Sequence, residues 1–398
     1  MQKINSHRHT LTCRIYIGVM IMTFLLGSNI ITSLPINMHY WNYLTDIAFI
    51  GLVIVFLTRK SIKKDIPFRI MMAYMFLCML LINHYLHTGI FQYTFALFGG
   101  PILAEVYYSK EEKYHYELLQ ARKWLIYIYI IECVLSIIER VLQHNFLQWS
   151  DEDVIFMDSY GSGFRSYGLL GHPLQNALMV SIIMSFILIS KYSSKKKYIL
   201  WALGYLAVLS FNTRSSIVGD ALVFAAYMLH ESYKVRSIGK KITIFVTLLL
   251  SAFGLFLILS FTSWGGRLMN MGLFDSGSAE VRVNTFQIFD YFSLSTFSLP
   301  GTDSQYVMNI SKIWATENFW IDWLMRYGYL MLIPYLVIMV MLVKKKFKGY
   351  KPFEVILTTA TFLLIASTNN SLSATFVPVF LYISCIIFFS PKLRVYAS

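Results

Sequence analysis

The stretch FNTRSSIVGD, residues 211–220, decides how this chain is read, because it sets an arginine between two apolar runs. YILWALGYLAVLS (198–210) precedes it and ALVFAAYML (221–229) follows, and both suit a hydrocarbon environment. An arginine at the edge of such a run is costly unless it pairs or lines a wet cavity. Arg214 is therefore a functional candidate, and the side of the membrane it faces is the first question.

Composition sets the class. The chain is 57% hydrophobic and only 14% charged, against about 25% charged residues in an ordinary soluble domain. Apolar runs of roughly bilayer-spanning length recur at 15–34, 43–57, 70–86, 90–108, 124–142, 174–190, 199–211, 216–230, 242–263, 319–343, 353–368 and 374–389. The expected fold is an all-α integral membrane protein of about 12 transmembrane helices, with residues 1–398 forming a single polytopic membrane domain.

The formal charge of +13 is not spread evenly. With the N-terminus inside, 27 of the 34 Lys and Arg residues fall in the termini and the inner loops RKSIKKDIPFR, SKEEKYHYELLQARK, KYSSKKKY, HESYKVRSIGKK and VKKKFKGYKP. That bias predicts cytoplasmic N- and C-termini. It also explains the basic runs as topology signals beside anionic lipid, and nucleic acid is not an expected partner. Cys13, Cys78, Cys133 and Cys385 are widely separated and show no CxxC or metal spacing, so neither a disulfide framework nor a zinc site is expected. NIS (309–311) and NNS (369–371) match a sequon too short to carry weight.

Seven cations break the rule: Arg140, Arg165, Arg214, Arg267, Arg282, Lys312 and Arg326. Two outer segments hold or adjoin most of them. The first, about 143–173, runs through an acidic stretch to GFRSYGLLGHP; it carries Arg165 and His172, and Pro173 opens the next span. Its glycines match no phosphate-loop pattern. The second, 264–318, is a large loop before the tenth span, and loops this long are usually functional. SGSAEVRVNTFQIFDYF within it predicts an amphipathic helix at the outer membrane face. Ser276 or Ser278 would cap it, Glu280 would sit in its first turn, and Val281, Phe286 and Phe289 would be its apolar positions. Arg282 lies on this helix; Pro300 and Gly301 then break it. Trp320 and Trp323 suit an interfacial belt where the chain re-enters. Glu317 at that border fits two roles equally, a general base raised by partial burial or an acid favouring the helix dipole. Arginine forks bind phosphates in bidentate fashion and stay charged, so this set suits an anionic lipid substrate. Structural pairing of the arginines with Asp220, Asp290 or Glu317 is the competing account. Glu132 and Glu139, inside the fifth span, remain unexplained by the sequence.

GFRSYGLLGHPLQNA, FNTRSSIVG, AEVRVNTFQIFDYF with LPGTDSQY, and ENFWIDWLMRYGYL together resemble the O-antigen ligase and polymerase (Wzy) superfamily. These are inner-membrane glycosyltransferases of bacteria, working on undecaprenyl-pyrophosphate-linked glycans. The resemblance covers about 160–340 and the arrangement of spans around a large periplasmic loop. It implies that Arg214 and Arg282 hold the donor pyrophosphate; beside them Arg165, His172 and Asn318 are expected to contact substrate, and Glu317 is the candidate base, a role the resemblance itself leaves open. Ligases carry a His-Asn pair where this chain reads Glu317-Asn318, and that departure favours a polymerase over a ligase. A flippase of the same lipid-linked sugar is the third reading. The implied partners are the undecaprenyl-pyrophosphate-linked oligosaccharide, membrane lipid and a chain-length regulator protein. Transfer is expected to need no metal or other cofactor.

Overall fold

Helices follow wherever the apolar runs are long enough to satisfy their own backbone groups. The computed structural model describes residues 66–86, 97–101, 115–147, 164–170, 172–235, 237–261, 264, 284–302, 304–313, 316, 318–368, 372 and 377–396. Among them the chain is all helical, without a strand. The elements are α1 (Ile66–Leu86), α2 (His115–Leu142), α3 (Pro173–Ile189), α4 (Ser194–Ser210), α5 (Arg214–Lys234), α6 (Ile238–Phe261), α7 (Ile288–Tyr291), α8 (Ser304–Ile310), α9 (Phe319–Tyr327), α10 (Tyr329–Lys346), α11 (Pro352–Ala366) and α12 (Val377–Phe388). The expected spans 15–34 and 43–57, and most of 90–108, lie outside the described residues. Among the described residues no single helix is long and apolar enough to cross a membrane, whereas α9 and α10 together are.

The chain divides into two units: one takes 1–127, 280–350 and 366–398, the other 128–279 and 351–365. Each has a helix buried on every side. In the first it is α12, buried from Val377 to Phe388. In the second it is α3, buried continuously from Asn176 to Ile189, against which α4 and α5 pack. A helix that is apolar all round belongs in an interior.

The surrounding helices are organised the other way about. On α2, the exposed apolar side chains are Trp124, Tyr127, Ile131, Val134, Ile138, Val141 and Leu142, while Glu132, Ser136, Glu139 and Arg140 are buried. Helix α6 exposes Ile242, Phe245, Val246, Leu249, Phe253, Leu257 and Phe261, and α10 exposes Leu330, Ile333, Val337, Val340 and Met341. Steps of three and four residues put each set on one face. A soluble helix turns such a stripe inward.

Three expectations need correction. The run 319–343 is not one straight span, because α9 and α10 meet at 120°. Gly328 makes the break with φ 69°, a conformation that favours glycine. The carbonyl carbon of Leu299 would lie 2.6 Å from any Cβ added there, so only glycine admits that backbone. The amphipathic helix of the large loop begins outside the described residues, and from Asn284 on it is turned differently from what the sequence suggests. In its described part a 3-10 turn, Thr285–Gln287, leads into the short α7. Thr285 and Ile288 face inward, whereas Phe286 and Phe289 are exposed. Ile288 instead joins Phe297, Val307, Ile313, Ile321 and Met325 in a small core that binds the loop to α9. Trp323, expected at an interface, is buried at 4% exposure.

Candidate functional site

Within the second unit, charges separate to opposite ends of the helices. At one end α4 begins within the basic run 191–197, Lys197 lies over the Tyr227 ring, and His230 stacks on Phe353 at 3.6 Å. At the other end, the segment 164–172, the start of α3 and the turn between α4 and α5 come together. The Ser166 N–H donates to the Ser210 carbonyl at 3.1 Å, and Arg165 Nε donates to the Phe211 carbonyl at 3.3 Å. Arg165 is thereby held three residues from Arg214, although 49 positions separate the two in sequence.

The turn itself is short because α4 ends at Ser210 and α5 starts at Arg214. Asn212 turns the chain with φ 53°, in the left-handed region that asparagine tolerates better than most residues. Thr213 is the N-cap of α5 but makes no side-chain capping bond. Its hydroxyl is buried and has no hydrogen-bond partner among the described residues. The first N–H groups of a helix have no intrahelical acceptor and carry partial positive charge. A helix start with a buried hydroxyl and two arginines beside it is an electropositive corner suited to a phosphate oxygen.

His172 caps α3, accepting the Leu174 N–H on Nδ1 at 3.3 Å, which assigns the proton to Nε2. Its ring meets Tyr167 edge-on at 6.4 Å. Desolvation, and then the Arg165 charge, hold the imidazole down to about 3. The residue is half-buried. It is neutral near pH 7.

What holds the 164–170 segment is the polar face of α2. Glu139 accepts the N–H groups of Tyr167 (3.0 Å) and Gly168 (2.8 Å) on one oxygen and that of Phe146 (3.1 Å) on the other. Glu132 accepts the Leu169 N–H at 2.7 Å. Arg140 donates to the Phe164 carbonyl, Asn176 to the Tyr167 carbonyl, and Ser166 to the Ser136 carbonyl at 2.7 Å. Asn145 bridges the segment, giving its Nδ2 to the Arg165 carbonyl at 3.2 Å and taking the Tyr167 N–H at 3.2 Å. Gly168 has φ 57°, and Glu132 Oε1 packs where a Cβ would stand.

Of the residues expected to form the site, Arg165, His172 and Arg214 gather here. Arg282 and Glu317 lie outside the described residues. Asn318, expected to touch substrate, is half-buried in the other unit and caps α9, accepting the Trp320 N–H at 2.9 Å. Arg326 proves to be paired with Asp322 at 2.9 Å. Asp220, offered as a structural partner of Arg214, accepts from Ser181 at 2.6 Å.

Sequence reasoning missed Asn145, Asn176 and the isolation of the Thr213 hydroxyl. The signal for the α2 face was present: Glu132, Ser136, Glu139 and Arg140 recur at helical spacing in an otherwise apolar run. Among the described residues no three or more His, Cys, Asp or Glu side chains gather to hold a metal ion. The chain matches no protein-family model, and no curated protein matches it either.

Proposed function

We propose that this protein is a bacterial inner-membrane polysaccharide polymerase of the O-antigen polymerase and ligase superfamily, acting on undecaprenyl-pyrophosphate-linked repeat units at the periplasmic face. The observation that carries the reading is the convergence of Arg165 and Arg214 on the N-terminus of α5, where the Thr213 hydroxyl is buried without a partner. Positive-inside topology puts that end outside, because the basic runs 191–197 and 234–241 lie at the other ends of α4 and α5. The exposed apolar stripes of α2, α6 and α10 fit helices that face lipid.

In the reaction, a hydroxyl on the terminal sugar of one repeat unit attacks the anomeric carbon of another glycan. The anomeric C–O bond breaks, its electron pair leaves with undecaprenyl pyrophosphate, and the hydroxyl proton passes to a base, for which Glu317 is the candidate. Arg214 and Arg282 stabilise the charge that develops on the departing pyrophosphate. Arg165 holds the same group from the 164–172 segment, and His172 offers its Nε2–H to a sugar or phosphate oxygen. Glu139 and one oxygen of Glu132 accept backbone N–H groups, which accounts for these two acids without a transport route.

Deleting the protein tests the assignment. Polymerase loss leaves single repeat units, flipped and still transferable to the final acceptor. Long polymer retained on undecaprenol would point to a ligase, and units trapped on the cytoplasmic side to a flippase. Arg214→Ala, in stably inserted protein, is expected to abolish chain extension. Wild-type chain lengths would sink the pyrophosphate-holding role.

A further inference from the structure

The turn 167–169 presents three consecutive N–H groups to one side, with Gly168 in the left-handed conformation between them. A backbone concavity of this kind binds anions. Here the acceptors are the chain's own carboxyl groups, Glu139 and Glu132, two turns apart on one face of α2. Glu139 does more than satisfy the turn. One of its oxygens takes the Phe146 N–H while the other takes those of Tyr167 and Gly168, so a single carboxylate ties residues on both sides of the outer segment 147–163. Arg165 lies between two further ties of this clasp, the Arg140 bond to the Phe164 carbonyl and the Asn145 bond to its own carbonyl.

We infer that Glu139 is a positioning residue: its carboxylate clasps the 164–169 segment so that Arg165 reaches the N-terminus of α5 and completes the anion site there. The link to function rests on the reading of that site as a pyrophosphate holder. The clasp itself rests only on the contacts above. Glu139→Gln keeps the size of the side chain but replaces one accepting oxygen by an amide that cannot take an N–H. Asn145→Ala removes a smaller part of the same clasp from outside the helix, and guards against a Glu139 variant that fails to fold.

The full chain, purified in detergent, carries the test. Hydrogen exchange over 166–169 is expected to quicken in Glu139→Gln and, less, in Asn145→Ala, with α3 and α4 unchanged. Phenylglyoxal should modify Arg165, buried in the wild type, several-fold faster in both. Inorganic pyrophosphate serves as the binding probe, and each of Glu139→Gln and Arg165→Ala should weaken it about tenfold, the scale expected when a contacting group is displaced. The double variant should bind no worse than Arg165→Ala alone, because a residue acting only through Arg165 has nothing left to position. Additive losses, or wild-type exchange and labelling in both clasp variants, would overturn the inference. If the wild type itself fails to bind pyrophosphate, the anion-site reading falls, and exchange with Arg165 labelling decides whether the clasp stands.

Discussion

Thr213 shows how much one hydroxyl decides. An N-cap threonine normally accepts an N–H of the first turn, and its loss costs about 1 kcal/mol. Here no such bond exists, and the hydroxyl is buried without a partner among the described residues. Leaving a buried hydroxyl unsatisfied is itself unfavourable by about 1–3 kcal/mol. Thr213→Val keeps the shape and suits the extended backbone at this position (φ −105°, ψ 98°). It is expected to leave the thermal midpoint unchanged or raised, while pyrophosphate binding measured by calorimetry weakens about tenfold, or 1.4 kcal/mol. A drop in both would make Thr213 a structural cap after all. His172 gives a second prediction at this scale. Its imidazole titrates near 6.5 when unfolded and near 3 in the folded protein. Between those values the unfolded chain binds more protons, so this residue makes stability fall as pH drops from about 6.5 towards 3, and it adds nothing above that window. His172→Asn should flatten the acid limb of a stability–pH curve by up to one proton; an unaltered slope would mean the ring is protonated in the fold. The sequence singled out Arg165, His172 and Arg214 because charge and glycine clusters interrupt apolar runs. The occupied state of His172 and the idle hydroxyl of Thr213 depend on neighbours far along the chain, which spacing does not reveal.

At the scale of elements, hydropathy located the helices well and their breaks poorly. The described parts of 70–86, 124–142, 174–190, 199–211, 216–230, 242–263, 353–368 and 374–389 are helical, because each run is long enough to bond its own backbone. The run 319–343 is helical too, but its mean hydropathy hides the 120° bend at Gly328. Two local signals were available, Arg326 in the last turn of α9 and Gly328 at its C-cap. Their weight came from a third feature, the approach of Ser298 and Leu299, which the sequence does not display. The same approach places the Leu330 N–H on the Ser298 carbonyl at 3.2 Å. Gly328→Ala therefore meets both an unfavourable φ and a backbone contact, and it should destabilise the protein by about 2 kcal/mol or more. Differential scanning in detergent would read this as a lower midpoint. An unchanged midpoint would mean that the bend is not held by the loop. The α2 helix repeats the lesson. Its acids were visible in the sequence, but their partners are backbone N–H groups about thirty residues downstream, and a bond to backbone leaves no mark in residue type.

For the whole molecule the deciding feature is inverted amphipathicity. Polar side chains of α2 point inward to the 164–170 segment, while its apolar stripe, with those of α6 and α10, points out. Either lipid or another protein must cover such area, and the two make opposite demands on charge. Leu249, 55% exposed and near the middle of α6, is well placed to tell them apart. In a bilayer, arginine near the middle of a spanning helix costs about 2.5–3.5 kcal/mol on insertion scales. On a surface in water the same change is worth no more than about 0.5 kcal/mol. If lipid covers α6, Leu249→Arg should sharply lower the fraction of protein inserted into membrane, scored by a glycosylation or protease-protection reporter. Leu249→Phe, which keeps the stripe apolar, should insert as the wild type does. Arginine tolerated at full yield would mean that the stripe faces water or a polar partner. The arginines at the start of α5 would then lose the orientation that makes them a holder for a lipid-linked pyrophosphate, so this one substitution bears on the site as well as on the fold.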